Sequence, residues 1–208
     1  MPEYLAGAAF GRPSSIAVVK VGGSLYDWPD LFPRLRGWLA EQWAGSRVVL
    51  VPGGGALVDA IRRLDRCHGL GEETSHWLAL RALAVNAHFL ASQLPLSCVI
   101  GELGELSRAW DSNLLPILDV YQFARDDEPY SGCLPHSWAV TSDALSARVA
   151  VRLQAKYLVL LKSTTIPSGI DWREASRLGL IDALFADVLC SASADLCVYA
   201  VNLRTWRP

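Results

Sequence analysis

Ile16-Ala-Val-Val-Lys-Val21 runs straight into Gly22-Gly23-Ser24, and Arg47-Val-Val-Leu-Val51 runs straight into Pro52-Gly53-Gly54-Gly55. Each is a short, β-branched, apolar run ended by glycines, the pattern of a strand buried on both faces that feeds a tight turn. Helical spacing follows each turn. After the first, Leu31, Leu35, Trp38, Leu39 and Trp43 recur at helical intervals, with Pro29 near the start. After the second, Leu57, Ile61 and Leu64 mark one helix face. Strand, glycine turn and helix, twice in succession, is the grammar of βαβ units. The expected fold class is therefore α/β: a three-layer αβα sandwich around a mostly parallel central sheet.

Working outward, a long helix is expected from Thr74, a candidate cap, to Gln93, with Leu80, Leu83, Ala84, Ala87, Leu90, Ala91 and Leu94 facing inward and Pro95 ending it. Apolar stretches at 97–100, 115–120, 157–161 and 196–201 read as further strands. Thr141-Ser142-Asp143 opens a helix whose stripe is Leu145, Val149, Arg152 and Leu153. Residues 121–138 read as loop, with Asp126-Asp127-Glu128 as a solvated turn, and residues 1–14 as a loose lead-in. With no internal repeat and no linker, residues 1–208 are expected to form a single domain.

The bulk numbers narrow the function classes. Among 208 residues, 51% are apolar and 19% charged, which suits a well-filled core rather than a disordered chain. A net charge of −2 leaves no electrostatic footprint for nucleic acid or an anionic membrane. Arg62, Arg63 and Arg66 read as the solvated face of a helix. Cys67, Cys98, Cys133, Cys190 and Cys197 include no C-x-x-C pair, and the apolar neighbours of Cys98 and Cys197 suit buried thiols in a reducing compartment. No apolar run approaches the ~18 residues needed to span a bilayer, and no leader pattern is evident, so the cytoplasm is the expected location.

In open parallel sheets, ligands bind beyond the carboxyl ends of the strands, where both glycine clusters lie. Glycine lets backbone N–H groups approach an anion closely, and a helix N-terminus adds a favourable dipole. Taken singly, either cluster is explained by a tight turn. Together they could cradle the donor and acceptor phosphates of a transfer reaction. Neither is a G-x-x-x-x-G-K-[ST] or G-x-G-x-x-G motif. An ammonium inside an apolar strand is costly unless it is paired or faces a polar cleft. Lys20, near the end of its strand, is such a group, and Lys162 closes another strand. Asp143 could cap its helix, orient the lysines, or hold magnesium. His68 reads as a surface residue and His88 as a core residue, whereas His76 and His136 flank segments that approach the cleft. No H-x-E or H-x-x-x-H metal pattern exists.

Val19-Lys20-Val21-Gly22-Gly23-Ser24-Leu25, Pro52-Gly53-Gly54-Gly55 and Thr141-Ser142-Asp143-Ala144-Leu145-Ser146-Ala147 resemble, in order and approximate spacing, three signatures of the amino acid kinase family. That family includes acetylglutamate, aspartate, uridylate and isopentenyl phosphate kinases, and the likeness spans residues ~16–162. It implies Mg-ATP as phosphoryl donor. Carried over residue by residue, Lys20 would stabilise the transferring group, while Gly22, Gly23 and Ser24 would meet the donor phosphates. Gly53, Gly54, Gly55 and Ser142 would hold the acceptor, and Asp143 would organise the lysines. Most members carry a Thr-Asp-x-Asp-Gly segment after the fifth strand, where this chain reads Lys162-Ser163-Thr164-Thr165-Ile166-Pro167-Ser168-Gly169. The uridylate kinase branch has a lysine near this point, which assigns Lys162 and Ser163 to ATP.

Thr74-Ser75-His76 and Pro135-His136-Ser137-Trp138-Ala139-Val140-Thr141 look most like the subgroup that phosphorylates an aminomethyl-furan-methyl phosphate in methanofuran biosynthesis, giving a diphosphate. This likeness implies a small phosphate acceptor contacted by His76 and His136. The family resemblance also implies a homo-oligomer. Two alternatives stay open at this level: a kinase for a carboxylate such as an amino acid derivative, and a non-catalytic member that binds a nucleotide or metabolite.

Overall fold

In the computed structural model, which describes residues 15–167 and 169–207, both glycine-terminated runs are strands: β1 (Ile16–Val21) and β2 (Arg47–Pro52). The lead-in expected at 1–14 lies outside the described residues. With β3 (Ser97–Ile100), β4 (Leu115–Leu118), β5 (Tyr157–Lys162) and β6 (Cys197–Asn202), these strands make a sheet of order β3-β4-β2-β1-β5-β6. Every pairing is parallel. In β1, Lys20 stands opposite Val51 of β2 and Leu160 of β5, so it occupies the middle of the sheet.

Side chains along a strand alternate between faces. Ala17, Val19 and Val21 enter a core with Leu31, Leu35 and Trp38 of α1 (Leu31–Trp43). Val18 enters the opposite core with Leu145 and Val149 of α6 (Ser142–Arg152) and Phe185 of α8 (Phe185–Leu189). The helices α2 (Gly55–His68), α3 (Glu72–Gln93), α4 (Leu106–Asp111), α5 (Val120–Asp127) and α7 (Trp172–Arg177) complete the helical layers. Val18, Val19, Val21, Val49, Leu50 and Val51 are fully buried, each contributing roughly 1.5–3 kcal/mol. Lys20 shares the face of Val18, which turns it toward α6. Among the described residues no helix is long and apolar enough to cross a membrane.

Several expectations change on contact with the fold. Part of the expected loop 121–138 is α5, whose N-cap Asp119 accepts the Tyr121 and Gln122 N–H groups. Asp127 is no solvated turn residue: it is buried and paired with Arg148 (2.7 Å) and Arg152. α3 begins two residues early, at Glu72 after Gly71, so Thr74 lies inside the first turn rather than capping it. His88 is on the solvent face of α3. The stripe Leu57, Ile61, Leu64 does not pack inward: Leu57 is 41% and Leu64 47% exposed. Instead α2 turns Val58 toward the sheet and Arg62 toward the cleft described below. The cysteines are free, but Cys67, Cys133 and Cys190 are exposed and Cys98 and Cys197 only half-buried, because the edge strands β3 and β6 that carry the latter two are incompletely covered.

Candidate active site

The two glycine turns touch each other. A Cβ on Gly23 would lie 2.1 Å from the Gly55 nitrogen, and one on Gly53 would lie 2.3 Å from the Gly23 nitrogen. Only glycine permits that approach. Two side chains fasten the pair. Tyr26 Oη accepts the Gly53 N–H at 2.8 Å, and Asn86 of α3 donates to the carbonyls of Gly53 and Gly54, both at 2.8 Å. Burial pushes the Tyr26 phenol up, so it remains protonated. Gly22 donates its N–H to the Leu161 carbonyl (2.9 Å), extending the sheet.

Beside this knot a cavity of about 660 Å³ opens over the carboxyl ends of β1 and β5, within the size range of small-molecule sites. Lys20 and Lys162 line its floor. Gly23, Ser24, Gly54 and Gly55 line one side, and Val58, Leu80 and Leu83 give it an apolar wall. His76, Ser142 and Trp138 also border it.

Asp143 sits beneath the two lysines at the start of α6. Its Oδ1 lies 2.9 Å from Lys20 Nζ and its Oδ2 2.6 Å from Lys162 Nζ. Lys162 also donates to the Leu180 carbonyl at 2.8 Å. Burial disfavours the ionised form of Asp143, but the charges of Lys20 and then Lys162 outweigh it and hold the carboxyl below the usual range. Burial and the charge of Lys20 lower the Lys162 ammonium. Two ammoniums thus meet one carboxylate directly, with the Asp182 carboxylate near enough to favour the charge on Lys162.

Thr141, not Asp143, caps α6, its side chain accepting the Asp143 N–H. A residue that the sequence did not single out supports both. Asp182 Oδ2 accepts from the Thr141 N–H (3.1 Å), Thr141 Oγ1 (2.8 Å) and the Ala144 N–H (2.8 Å), and Oδ1 accepts from the Phe185 N–H (2.8 Å). Burial raises its pKa, with these donors opposing. Asp182 thus fixes the helix start that aims Asp143 at the lysines.

Arg62 was expected to face solvent. Its side chain instead borders the cavity, with its guanidinium 4.9 Å from the Trp138 ring centroid. Its Nε is buried with no hydrogen-bond partner among the described residues. Trp138 is pinned in turn: its Nε1–H donates to Asp65 (2.8 Å) and its backbone N–H to Glu72 (2.6 Å). The strap from Pro135 to Thr141 is thereby tied across α2 and α3 as a roof.

The expected site residues separate into groups. Lys20, Lys162, Gly23, Ser24, Gly54, Gly55, His76 and Ser142 reach one cavity. Asp143 stands just behind it. Gly22 and Gly53 do not line it, and their N–H groups are already spent on Leu161 and Tyr26. Ser163 also lies off the cavity, its hydroxyl bonded to that of Ser24 at 2.7 Å. His136 lies behind His76, the rings stacked at 5.2 Å, and borders a separate small pocket. Among the described residues no group of three or more His, Cys, Asp or Glu side chains is placed to hold a metal ion.

Comparison with known proteins places this arrangement. Residues 15–165 match the model of the amino acid kinase family. Over 144 residues the chain is 26% identical to the [5-(aminomethyl)furan-3-yl]methyl phosphate kinase of Methanocaldococcus jannaschii, an alignment that covers 69% of this chain and 63% of that protein. The chain thus matches less than two thirds of that relative's length. Uridylate kinase from Archaeoglobus fulgidus superposes with a TM-score of 0.62 at 16% identity, covering 91% of this chain and 92% of that one. UMP kinase from Ureaplasma parvum gives a TM-score of 0.60 at 13% identity, covering 90% of each chain. These two likenesses establish the fold, and the family match extends across both glycine turns, Asp143 and Lys162. The chain belongs to the amino acid kinase family.

Proposed function

We propose that the chain is a single-domain kinase that transfers the γ-phosphoryl group of ATP to a small phosphate monoester of the class of [5-(aminomethyl)furan-3-yl]methyl phosphate, giving a diphosphate. The observation that carries this reading is the sharing of Asp143 between Lys20 and Lys162 on the floor of a cavity where both glycine turns converge.

In this reading an oxygen of the acceptor phosphate attacks the γ-phosphorus. A new P–O bond forms as the bond to the β-bridging oxygen breaks, and ADP leaves. That acceptor oxygen is already anionic, so no general base is required. Catalysis then rests on positioning and on neutralising charge. Lys20 and Lys162 sit where that charge accumulates, and Asp143 holds both in place. Gly23 and Ser24 border the donor side of the cavity. Gly54, Gly55 and Ser142 border the acceptor side, where the unpartnered Nε of Arg62 suits a phosphate oxygen. Bound Mg²⁺ would supply further charge neutralisation. With no group of three such ligands among the described residues, the ion would be held through the nucleotide phosphates, as is usual for magnesium.

The exposed stripe of Leu57 and Leu64, with Val85 and Phe89 of α3 also exposed, supports assembly with a second copy. Light scattering reads that directly. The function is tested by following ADP release from Mg-ATP with and without the furan-methyl phosphate. Acceptor-dependent release supports the reading. Release that ignores the acceptor, or none at all, contradicts it.

A further inference from the structure

Asn86 is buried in α3, on the face that carries Leu83, Ala87 and Leu90. Burying an amide is costly unless its hydrogen bonds are made, and here both donors go to one place. Nδ2 donates to the Gly53 carbonyl and to the Gly54 carbonyl, each at 2.8 Å. Holding two successive carbonyls without bringing in a charge takes one nitrogen with two protons, which a primary amide supplies.

The consequence lies on the other side of the same two peptides. A trans peptide is planar, with its N–H directed opposite to its carbonyl, and no peptide bond is cis among the described residues. With the carbonyls of Gly53 and Gly54 drawn onto Asn86, the N–H groups of Gly54 and Gly55 face away from it. Gly54 and Gly55 border the cavity, whereas Asn86 does not. Neither N–H has a hydrogen-bond partner among the described residues. Gly54 is right-handed (φ −81°, ψ −52°), and Gly55 follows with φ +55°. That order turns successive N–H groups toward a common point, a concavity that suits an anion. Glycine populates positive and negative φ about equally, so such a turn needs an outside contact to hold it. Tyr26 fastens only the Gly53 N–H, one peptide earlier, and leaves the next two to Asn86.

We propose that Asn86 is a positioning residue. It presents the Gly54 and Gly55 N–H groups to the cavity, where they receive an oxygen of the acceptor phosphate, and its own side chain touches neither substrate. This deepens the phosphotransfer reading and, for its kinetic consequences, rests on it.

Two measurements test the role. Glycine labelled with ¹³C at the carbonyl and with ¹⁵N gives a carbonyl-coupled amide signal only where glycine follows glycine, at Gly23, Gly54 and Gly55. In the wild-type protein, inorganic phosphate is expected to move the Gly54 and Gly55 amide protons downfield, as new hydrogen bonds to an anion do. Resonances that stay in place with both inorganic phosphate and [5-(aminomethyl)furan-3-yl]methyl phosphate overturn the proposal, and this arm needs no variant. Asn86→Leu keeps the branched shape and loses both donors. Its acceptor KM is expected to rise about 10-fold or more, the size of a hydrogen bond to a charged group, while ATP KM stays within about twofold. The phosphate response of Gly54 and Gly55 is expected to vanish with it. Asn86→Asp, of the same shape and without donors when ionised, gives the same comparison should the leucine variant not fold, and circular dichroism checks both. Equal rises in the two constants mark a general loosening of the turn and overturn the positioning role, as does an unchanged acceptor KM. Shifted Gly54 and Gly55 resonances in a wild-type protein that turns over no acceptor support the placement by Asn86 and count against the kinase reading instead.

Discussion

Lys20 Nζ lies 2.9 Å from Asp143 Oδ1, and both side chains are about 6% exposed. β1 carries the lysine and the first turn of α6 the aspartate, so the contact joins the sheet to the helical layer at the floor of the cavity. Lys162 completes it from the neighbouring strand at 2.6 Å. Removing one member of a buried pair strands the other's charge, a penalty of roughly 3–5 kcal/mol. The three residues are therefore not equivalent as targets.

Lys20→Ala leaves Asp143 paired with Lys162, so the protein is expected to fold. Turnover is expected to drop by ~10²–10³ or more, the usual cost of losing a group that stabilises charge in the transition state. Circular dichroism checks folding and ADP release checks rate. A near-normal kcat contradicts the assigned role.

Asp143→Asn strands two ammoniums and is expected to destabilise the fold by about 3 kcal/mol as well as to silence it. The pH dependence has a definite sign. The folded-state pKa of Asp143 is lowered, so its contribution is present above the ordinary aspartate value of about 3.9 and lost as pH falls through the folded value. In urea unfolding, the gap between wild type and Asp143→Asn is expected to be constant from pH 7 to pH 5 and to close under stronger acid. A gap that widens in acid rejects this assignment.

Asp182→Ala removes the acceptor for Thr141, Ala144 and Phe185. Buried donors left unpaired cost about 1–3 kcal/mol each. The variant is expected to lose roughly 3 kcal/mol or more of stability, and any folded fraction to have lower kcat because Asp143 is no longer aimed. Unchanged stability with unchanged kcat would remove Asp182 from the site.

Arg62→Ala is expected to raise the acceptor KM by about 10-fold or more while ATP KM stays within about twofold, since hydrogen bonds to charged groups are worth about 1.5–3 kcal/mol. Equal effects on both constants would place Arg62 elsewhere.

The part of this molecule legible in its sequence is the part built from local pattern. Ile16–Val21 and Arg47–Pro52 are uninterrupted apolar strands closed by glycine, and their period-2 alternation already turns Lys20 away from Val19 and Val21. Lys162 was legible for the same reason. What sequence hid depends on partners distant along the chain. Asp127 reads as a loop acid until Arg148 and Arg152 arrive beside it. Asp182 has no neighbouring motif, and only the folded chain brings it to Thr141. Arg62 lies in an arginine-rich stretch typical of solvated helix faces. Its true direction follows from the rotation of α2, which exposes Leu57 and Leu64 to place Val58 and Arg62 inward. Gly22 and Gly53 look like phosphate cradles but are consumed by closing the sheet and meeting Tyr26.

The most direct measurement is phosphorus NMR of Mg-ATP incubated with [5-(aminomethyl)furan-3-yl]methyl phosphate and either the wild-type protein or Lys20→Ala. Wild type is expected to convert the acceptor resonance to the coupled pair of a diphosphate ester as ADP accumulates, and the folded Lys20→Ala protein to leave both substrates unchanged over the same period. A diphosphate formed equally by both proteins, or ADP formed by wild type with the acceptor untouched, would contradict phosphoryl transfer at the Lys20–Asp143–Lys162 site.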